Sequence, residues 1–250
     1  MKTEEDRTPR AIKLCASTAA PPRQSSSHRP CDSCGTSPSS RETAFFRFPE
    51  NLAALTETVV PEILDRKCSG PEQILRLWCA GCYSGEDAYS VAISVCEALN
   101  RTSAICKVHI VATDISDECL KVAERGVYEL GVLRSVPPNL IPTYFSHLDS
   151  QVMVKSRLRS LVSFTRMDLA APVFLGHFDV IFCMGVMPQL APPNRSALLG
   201  RLHMFLEPGG YLFLGDDENL PASEVTFLPQ AHGSCTIYRR PMVAAARSGR

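Results

Sequence analysis

The segment Ile74-Leu75-Arg76-Leu77-Trp78-Cys79-Ala80-Gly81-Cys82-Tyr83-Ser84-Gly85-Glu86 decides the fold. Residues 74–79 are a short apolar run of strand length. A loop follows that carries Gly81 and Gly85. From Glu86 to Leu99 apolar residues return at helical spacing, at Ala88, Val91, Ala92, Val95, Ala98 and Leu99. Strand, glycine loop and helix in that order predict one unit of a parallel sheet. The glycines let the backbone turn sharply and pass close to a ligand, and the helix N-terminus aims N–H groups at it. In such sheets ligands bind beyond the carboxyl ends of the strands. Taken alone, the loop is equally well a plain strand-to-helix turn.

Working outward, the pattern repeats. Val108–Thr113 reads as a second strand, and Asp117–Arg125 as a helix stopped by Gly126. Leu161–Thr165 and Val180–Cys183 read as strands three and four. Asn194–Leu206 reads as a helix ended by Pro208-Gly209-Gly210, with Tyr211–Leu214 as strand five. Glu224–Phe227 and Cys235–Tyr238 read as a closing hairpin. The alternation predicts an α/β fold, with a mostly parallel sheet and helices on both faces. Residues 1–40 are rich in Pro and Ser and have no apolar period, so they are expected to be disordered. The domain is expected over 41–240 and a flexible tail over 241–250.

Composition excludes several classes. The 26 basic and 26 acidic residues cancel, so the chain as a whole has no electrostatic footprint for nucleic acid. No run reaches the roughly 18 apolar residues of a membrane span, and the acidic N-terminus lacks the apolar region of a secretory signal. A cytoplasmic protein without membrane insertion is expected. Eleven cysteines, an odd number, with Cys79, Cys96, Cys106 and Cys183 inside apolar runs, read as reduced buried thiols. The pairs Cys31/Cys34 and Cys79/Cys82 are too far apart in sequence to suggest one zinc site, and no metal is expected.

Two acids stand at strand ends. Asp114 closes the second strand, where a carboxylate can accept hydrogen bonds from ribose hydroxyls; it can equally cap the next helix. Asp168-Leu169 follow the third strand, where an acid can hold an adenine amino group or serve a turn. Together with the loop they favour an adenosine-type ligand. The loop lacks G-x-G-x-x-G spacing, which leans against a dinucleotide.

Six ordered blocks resemble the CheR family of chemoreceptor methyltransferases. They are Thr43-Ala44-Phe45-Phe46-Arg47, Leu77 to Ser90, Ala112-Thr113-Asp114-Ile115, Tyr144-Phe145, Phe178 to Cys183, and Pro208 to Gly215. The resemblance implies a class I S-adenosylmethionine-dependent methyltransferase: a Rossmann-like seven-stranded sheet whose last strand is antiparallel. It implies methyl transfer to glutamate carboxylates of a chemoreceptor-like or other signalling protein. Carried over, Thr43, Arg47, Asp87, Asp114, Asp168 and Leu169 fall on cofactor positions, with Gly81 and Gly85 in the loop and Met184 and Gly185 beyond the fourth strand. Arg47 is the catalytic candidate, because its planar fork can steer a carboxylate; an ion pair is its plainer role.

The chain departs from the family in places. Met184, Gly185 and Gln189 stand where the family has Arg, Asn and Tyr, each change removing hydrogen bonds worth about 1–3 kcal/mol. Gly215-Asp216-Asp217-Glu218 replaces G-H-S-E and adds negative charge. The region corresponding to the family's N-terminal helical domain is short and Pro/Ser-rich, so that domain is expected to be missing, and Val152–Arg159 reads as a shortened remnant of its small β-subdomain. Two readings therefore stand beside the active glutamate methyltransferase. One is a divergent cofactor-binding regulatory module; the other is a methyltransferase with a different substrate.

Overall fold

The computed structural model describes residues 43–67, 74–102, 104–171, 175–216, 218–220 and 226–242. The expected N-terminal disorder, the Cys31/Cys34 pair, Asp217 and the tail beyond residue 242 lie outside them.

The strand that opens the fold is β1 (Ile74–Ala80). It pairs in parallel with β2 (Lys107–Asp114) on one side and with β7 (Phe178–Cys183) on the other. β6 (Val162–Arg166) extends the sheet beyond β2. β8 (Leu206–Leu214), β10 (Cys235–Arg239) and β9 (Leu228–His232) extend it beyond β7, in that spatial order. β10 is the last strand in sequence and runs antiparallel to both its neighbours. The order β6-β2-β1-β7-β8-β10-β9 reverses direction between β1 and β7, so a crevice opens at the carboxyl end of β1.

Alternation along these strands divides the core. Leu75, Leu77 and Cys79 of β1, Val180 and Phe182 of β7, and Tyr211 and Phe213 of β8 face one side. Trp78, Ala80, Ile181, Cys183, Leu212 and Leu214 face the other. Phe182 and Phe213, directly paired across β7 and β8, stack with centroids 4.4 Å apart. On the first face lies α3 (Glu86–Thr102), buried around most of its circumference because a second helical layer covers it. On the second face α7 (Pro192–Phe205) contributes Leu198, Leu202 and Phe205. α4 (Asp117–Arg125) is bounded as expected: Ser116 Oγ caps the Cys119 N–H at 3.3 Å, and Gly126 ends it in the left-handed conformation.

Four features differ from the sequence reading. A covering helical layer, α1 (Pro49–Ala54) and α2 (Val60–Lys67), adds to the elements the periodicity predicts. A π-helical turn, Leu55–Val59, joins the two. Pro61 has no N–H to continue an α-helical ladder, and the Val60 N–H reaches back five residues to Leu55, so the wider turn lets the helix run through the proline. β8 begins at Leu206 rather than Tyr211, because Pro208-Gly209-Gly210 lie in an irregular stretch of the strand and do not end it. The hairpin partner of β10 is Leu228–His232; Phe227 precedes it, and Pro229 is tolerated because β9 is an edge strand. The β-subdomain is a separate sheet of β3 (Val127–Glu129), β4 (Phe145–Leu148) and β5 (Gln151–Val154), ordered β3-β5-β4, with the short helix α5 (Ile141–Tyr144) leading into β4. Of Val152–Arg159 only the first three residues belong to it; Ser156–Arg159 form the short helix α6.

Candidate functional site

The site is assembled at the carboxyl ends of β1, β2, β6 and β7, with the segment before α1 laid across it. The loop after β1 is tied down first: the N–H groups of Gly81 and Cys82 both donate to the Thr113 carbonyl at the end of β2, at 2.8 and 2.9 Å. Gly81 (φ +73°) and Gly85 (φ +96°) hold positive-φ conformations that other residues rarely adopt. A side chain at Gly81 would meet Val186 Cγ2 at 2.5 Å, and one at Gly85 would meet Ala123 Cβ at 2.7 Å. Both glycines are therefore demanded by neighbouring protein atoms as well as by the turn. Tyr83, also left-handed at φ +50°, donates its N–H to Asp114 Oδ2 at 2.8 Å. Asp114 Oδ1 accepts from the Ser116 N–H at 2.9 Å. Asp114 thus locks the loop to the end of β2, and the helix cap is Ser116.

Across the loop lies Thr43–Arg47. Thr43 Oγ1 donates to the buried Glu86 carboxylate at 2.7 Å, which also accepts from Ser84 Oγ at 2.6 Å. Phe46, buried and left-handed (φ +57°), places its N–H 3.0 Å from Ser90 Oγ. The turn at Phe46 delivers Arg47 to Asp87: Nε donates to Oδ1 at 2.8 Å and Nη2 to Oδ2, a bidentate pair. Burial opposes the charge on Arg47. The hydrogen bonds and charge of Asp87, with Glu86 and Glu218 behind it, outweigh that, and the Arg47 pKa is raised. Arg47, Phe48, Leu52, Asp87, Ser90 and Met184 line a narrow cleft with no room for a water molecule.

Met184 is buried at that cleft, its sulfur 3.9 Å from Asn51 Nδ2. Gly185 is left-handed (φ +71°), a conformation that asparagine tolerates better than other side-chain-bearing residues. Glycine in place of the family asparagine therefore keeps the backbone and loses the amide. Gln189 lies in a 3-10 turn, Met187–Gln189, and its side chain donates to the Gly185 carbonyl. Asp168 Oδ1 accepts from the Ala170 N–H at 2.7 Å, which is a turn role, and Leu169 packs against the second core. Asp168 is placed beside the end of β2 by the Met167 N–H, which donates to the Asp114 carbonyl at 2.8 Å.

Three residues were not singled out in the sequence. Glu86 and Glu218 are both buried. Asn51 is 1% exposed, its Nδ2 bonded to the Leu214 carbonyl at 2.9 Å and its Oδ1 without a partner among the described residues.

The family model of the CheR methyltransferase SAM-binding domain matches residues 41–234. The chain belongs to this family. The cofactor of the CheR domain is S-adenosylmethionine, and the left-handed loop and the strand-end acids fit it. Among curated relatives, chemotaxis protein methyltransferase 1 of Pseudomonas aeruginosa is 36% identical over 188 residues, covering 72% of this chain and 68% of its own. The chemotaxis protein methyltransferase of Vibrio parahaemolyticus is 33% identical over 183 residues, covering 72% and 65%. The chain thus spans about two thirds of the length of these relatives. The N-methyltransferase NodS of Bradyrhizobium japonicum, solved with S-adenosyl-L-homocysteine, is 15% identical, with a TM-score of 0.43 over 80% of this chain and 89% of that one. Among the described residues, no helix is long and apolar enough to cross a membrane.

Proposed function

We propose that this chain transfers a methyl group from S-adenosylmethionine to a protein carboxylate, the glutamate of a chemoreceptor-like partner. The observation that carries the reading is the Arg47–Asp87 pair, held by the left-handed turn at Phe46 at the edge of the cleft closed by Met184. When bound, the cofactor supplies an electrophilic methyl on a sulfonium. The Gly81–Gly85 loop, Asp87, Asp114, Met184 and Gly185 would hold it, with Thr43 fixing the loop from above and Asp168 and Leu169 at the far strand end. A glutamate is already ionised at neutral pH, so the protein needs no general base. Its work is alignment and water exclusion. Arg47 is suited to both: Asp87 engages Nε and Nη2, which leaves Nη1 to orient a carboxylate oxygen.

The substitutions at Met184 and Gln189 favour a second reading, a cofactor-binding module with weak or no transfer. Met184 presents a thioether where the family has a guanidinium, and Gln189 spends its amide on the Gly185 carbonyl. The experiment incubates the full chain with methyl-labelled cofactor and receptor-bearing membranes, then releases label with mild alkali. Glutamyl methyl esters yield volatile methanol. Alkali-stable label indicates a different acceptor. Calorimetric binding of S-adenosylhomocysteine with no labelled product supports the regulatory module and refutes the glutamate reading.

A further inference from the structure

Glu218 is 7% exposed, and its carboxylate is held by backbone. Oε2 accepts from the N–H groups of Gly185 and Gly215, both at 2.7 Å, and Oε1 accepts from the Met187 N–H at 2.8 Å. These donors belong to two different places. Gly185 and Met187 lie in the loop after β7, and Gly215 lies at the end of β8. The carboxylate fills the space a side chain at residue 215 would need: a Cβ there would sit 2.7 Å from Oε2. Gly215 is thus required by Glu218, an interlock between two residues three apart in sequence.

The loop that Glu218 grips is the one that reaches the cleft. Met184 lines it with Arg47 and Asp87, and Gly185 holds its left-handed conformation while bonded to the carboxylate. The charge of Glu218 also bears on Arg47. Burying a carboxylate is a costly way to satisfy three N–H groups where stability alone is at stake, whereas charge-assisted bonds hold geometry more firmly than neutral ones. We infer that Glu218 is a positioning residue, whose carboxylate ties the loop after β7 to the end of β8 and so sets Met184 and Gly185 against the cofactor. This rests on the reading of the cleft as part of the cofactor site.

The test uses the full chain as wild type, Glu218→Ala and Glu218→Gln. Two quantities are read: amide hydrogen exchange at Gly185, Met187 and Gly215 in the ligand-free protein, and calorimetric affinity for S-adenosylhomocysteine well below the melting temperature. Glu218→Ala is expected to speed exchange at the three amides and to weaken binding at least tenfold. Glu218→Gln keeps one acceptor oxygen and is expected to recover part of that loss. A folded Glu218→Ala variant that binds within twofold of wild type overturns the inference, even if exchange accelerates, because the tie would then be structural only. If Glu218→Ala does not fold, Gly215→Ala decides on the same thresholds, since it keeps the charge and displaces the carboxylate. A wild-type chain that binds S-adenosylhomocysteine but labels no carboxylate refutes the proposed reaction and leaves this role standing. A wild-type chain that binds neither cofactor nor product overturns both.

Discussion

Breaking the Arg47–Asp87 pair should cost stability and cofactor binding together. Two unit charges about 4 Å apart attract by about 1 kcal/mol in water and about 4 kcal/mol near a protein surface. These side chains retain 25% and 13% of their exposure, so screening and the cost of ordering them remove part of the larger figure. The pair is bidentate, and hydrogen bonds to charged groups contribute about 1.5–3 kcal/mol. A coupling of about 2 kcal/mol follows. The perturbations are Asp87→Asn, Arg47→Met and both together, each followed by urea unfolding at low and high salt. The double variant should be no less stable than Asp87→Asn alone, because the orphaned guanidinium is the costly species. Each single variant should also bind S-adenosylhomocysteine more weakly than wild type. A coupling below about 0.5 kcal/mol, the range of exposed ion pairs, would refute the claim that this pair shapes the site.

Gly85→Ala should cost about 3 kcal/mol, from its positive φ and the close approach to Ala123 Cβ, and lower the melting temperature by roughly 10 °C. Gly200→Ala, in the exposed body of α7 with open space where its methyl group would go, should raise stability by about 0.5–1 kcal/mol; scanning calorimetry of both variants checks the contrast. Burial raises the thiols of the seven described cysteines, that of Cys96 to about 12 against the lowering effect of Arg157; mass spectrometry should find all seven unlabelled by a thiol reagent at pH 8 until denaturant is added. Burial, then Arg76, lowers the His109 pKa below its ordinary value of 6.5. The unfolded chain therefore takes up that proton first, and the contribution of His109 is intact above about pH 6.5 and lost as pH falls through its folded value. His109→Gln should flatten the fall in stability over that range, an effect kept small by the exposure of the ring and measured by unfolding at stepped pH.

The legible elements were those written locally. The β1 segment, its loop and α3 are readable because period and turn residues are contiguous, and α4 because Ser116 and Gly126 mark its two ends. The unread elements contain residues whose local meaning is a break. Pro61 hides the helical layer over α3, Pro208-Gly209-Gly210 hides the start of β8, and Pro229 hides an edge strand. In each case tertiary packing overrides the local preference: a π turn, an irregular strand and an edge position accommodate the exception. The candidate site was readable where motif residues carry it, at Arg47, Asp87 and Asp114. It was unreadable at Asn51, which lies outside every matched block, and at Glu86 and Glu218 only their place beside family motifs was visible, because nothing in their local sequence marks a buried acid.

By itself the sequence determined the strand-loop-helix unit, the α/β class and the resemblance to a methyltransferase family, since these depend on periodicity and on short runs of specific residues. Only the tertiary structure decided what the polar groups do. Asp114 locks the loop and leaves the helix cap to Ser116, Arg47 meets Asp87, and Glu218 grips two loops at once. The partners in those contacts are up to forty residues apart, and the folded sheet brings them within hydrogen-bonding distance.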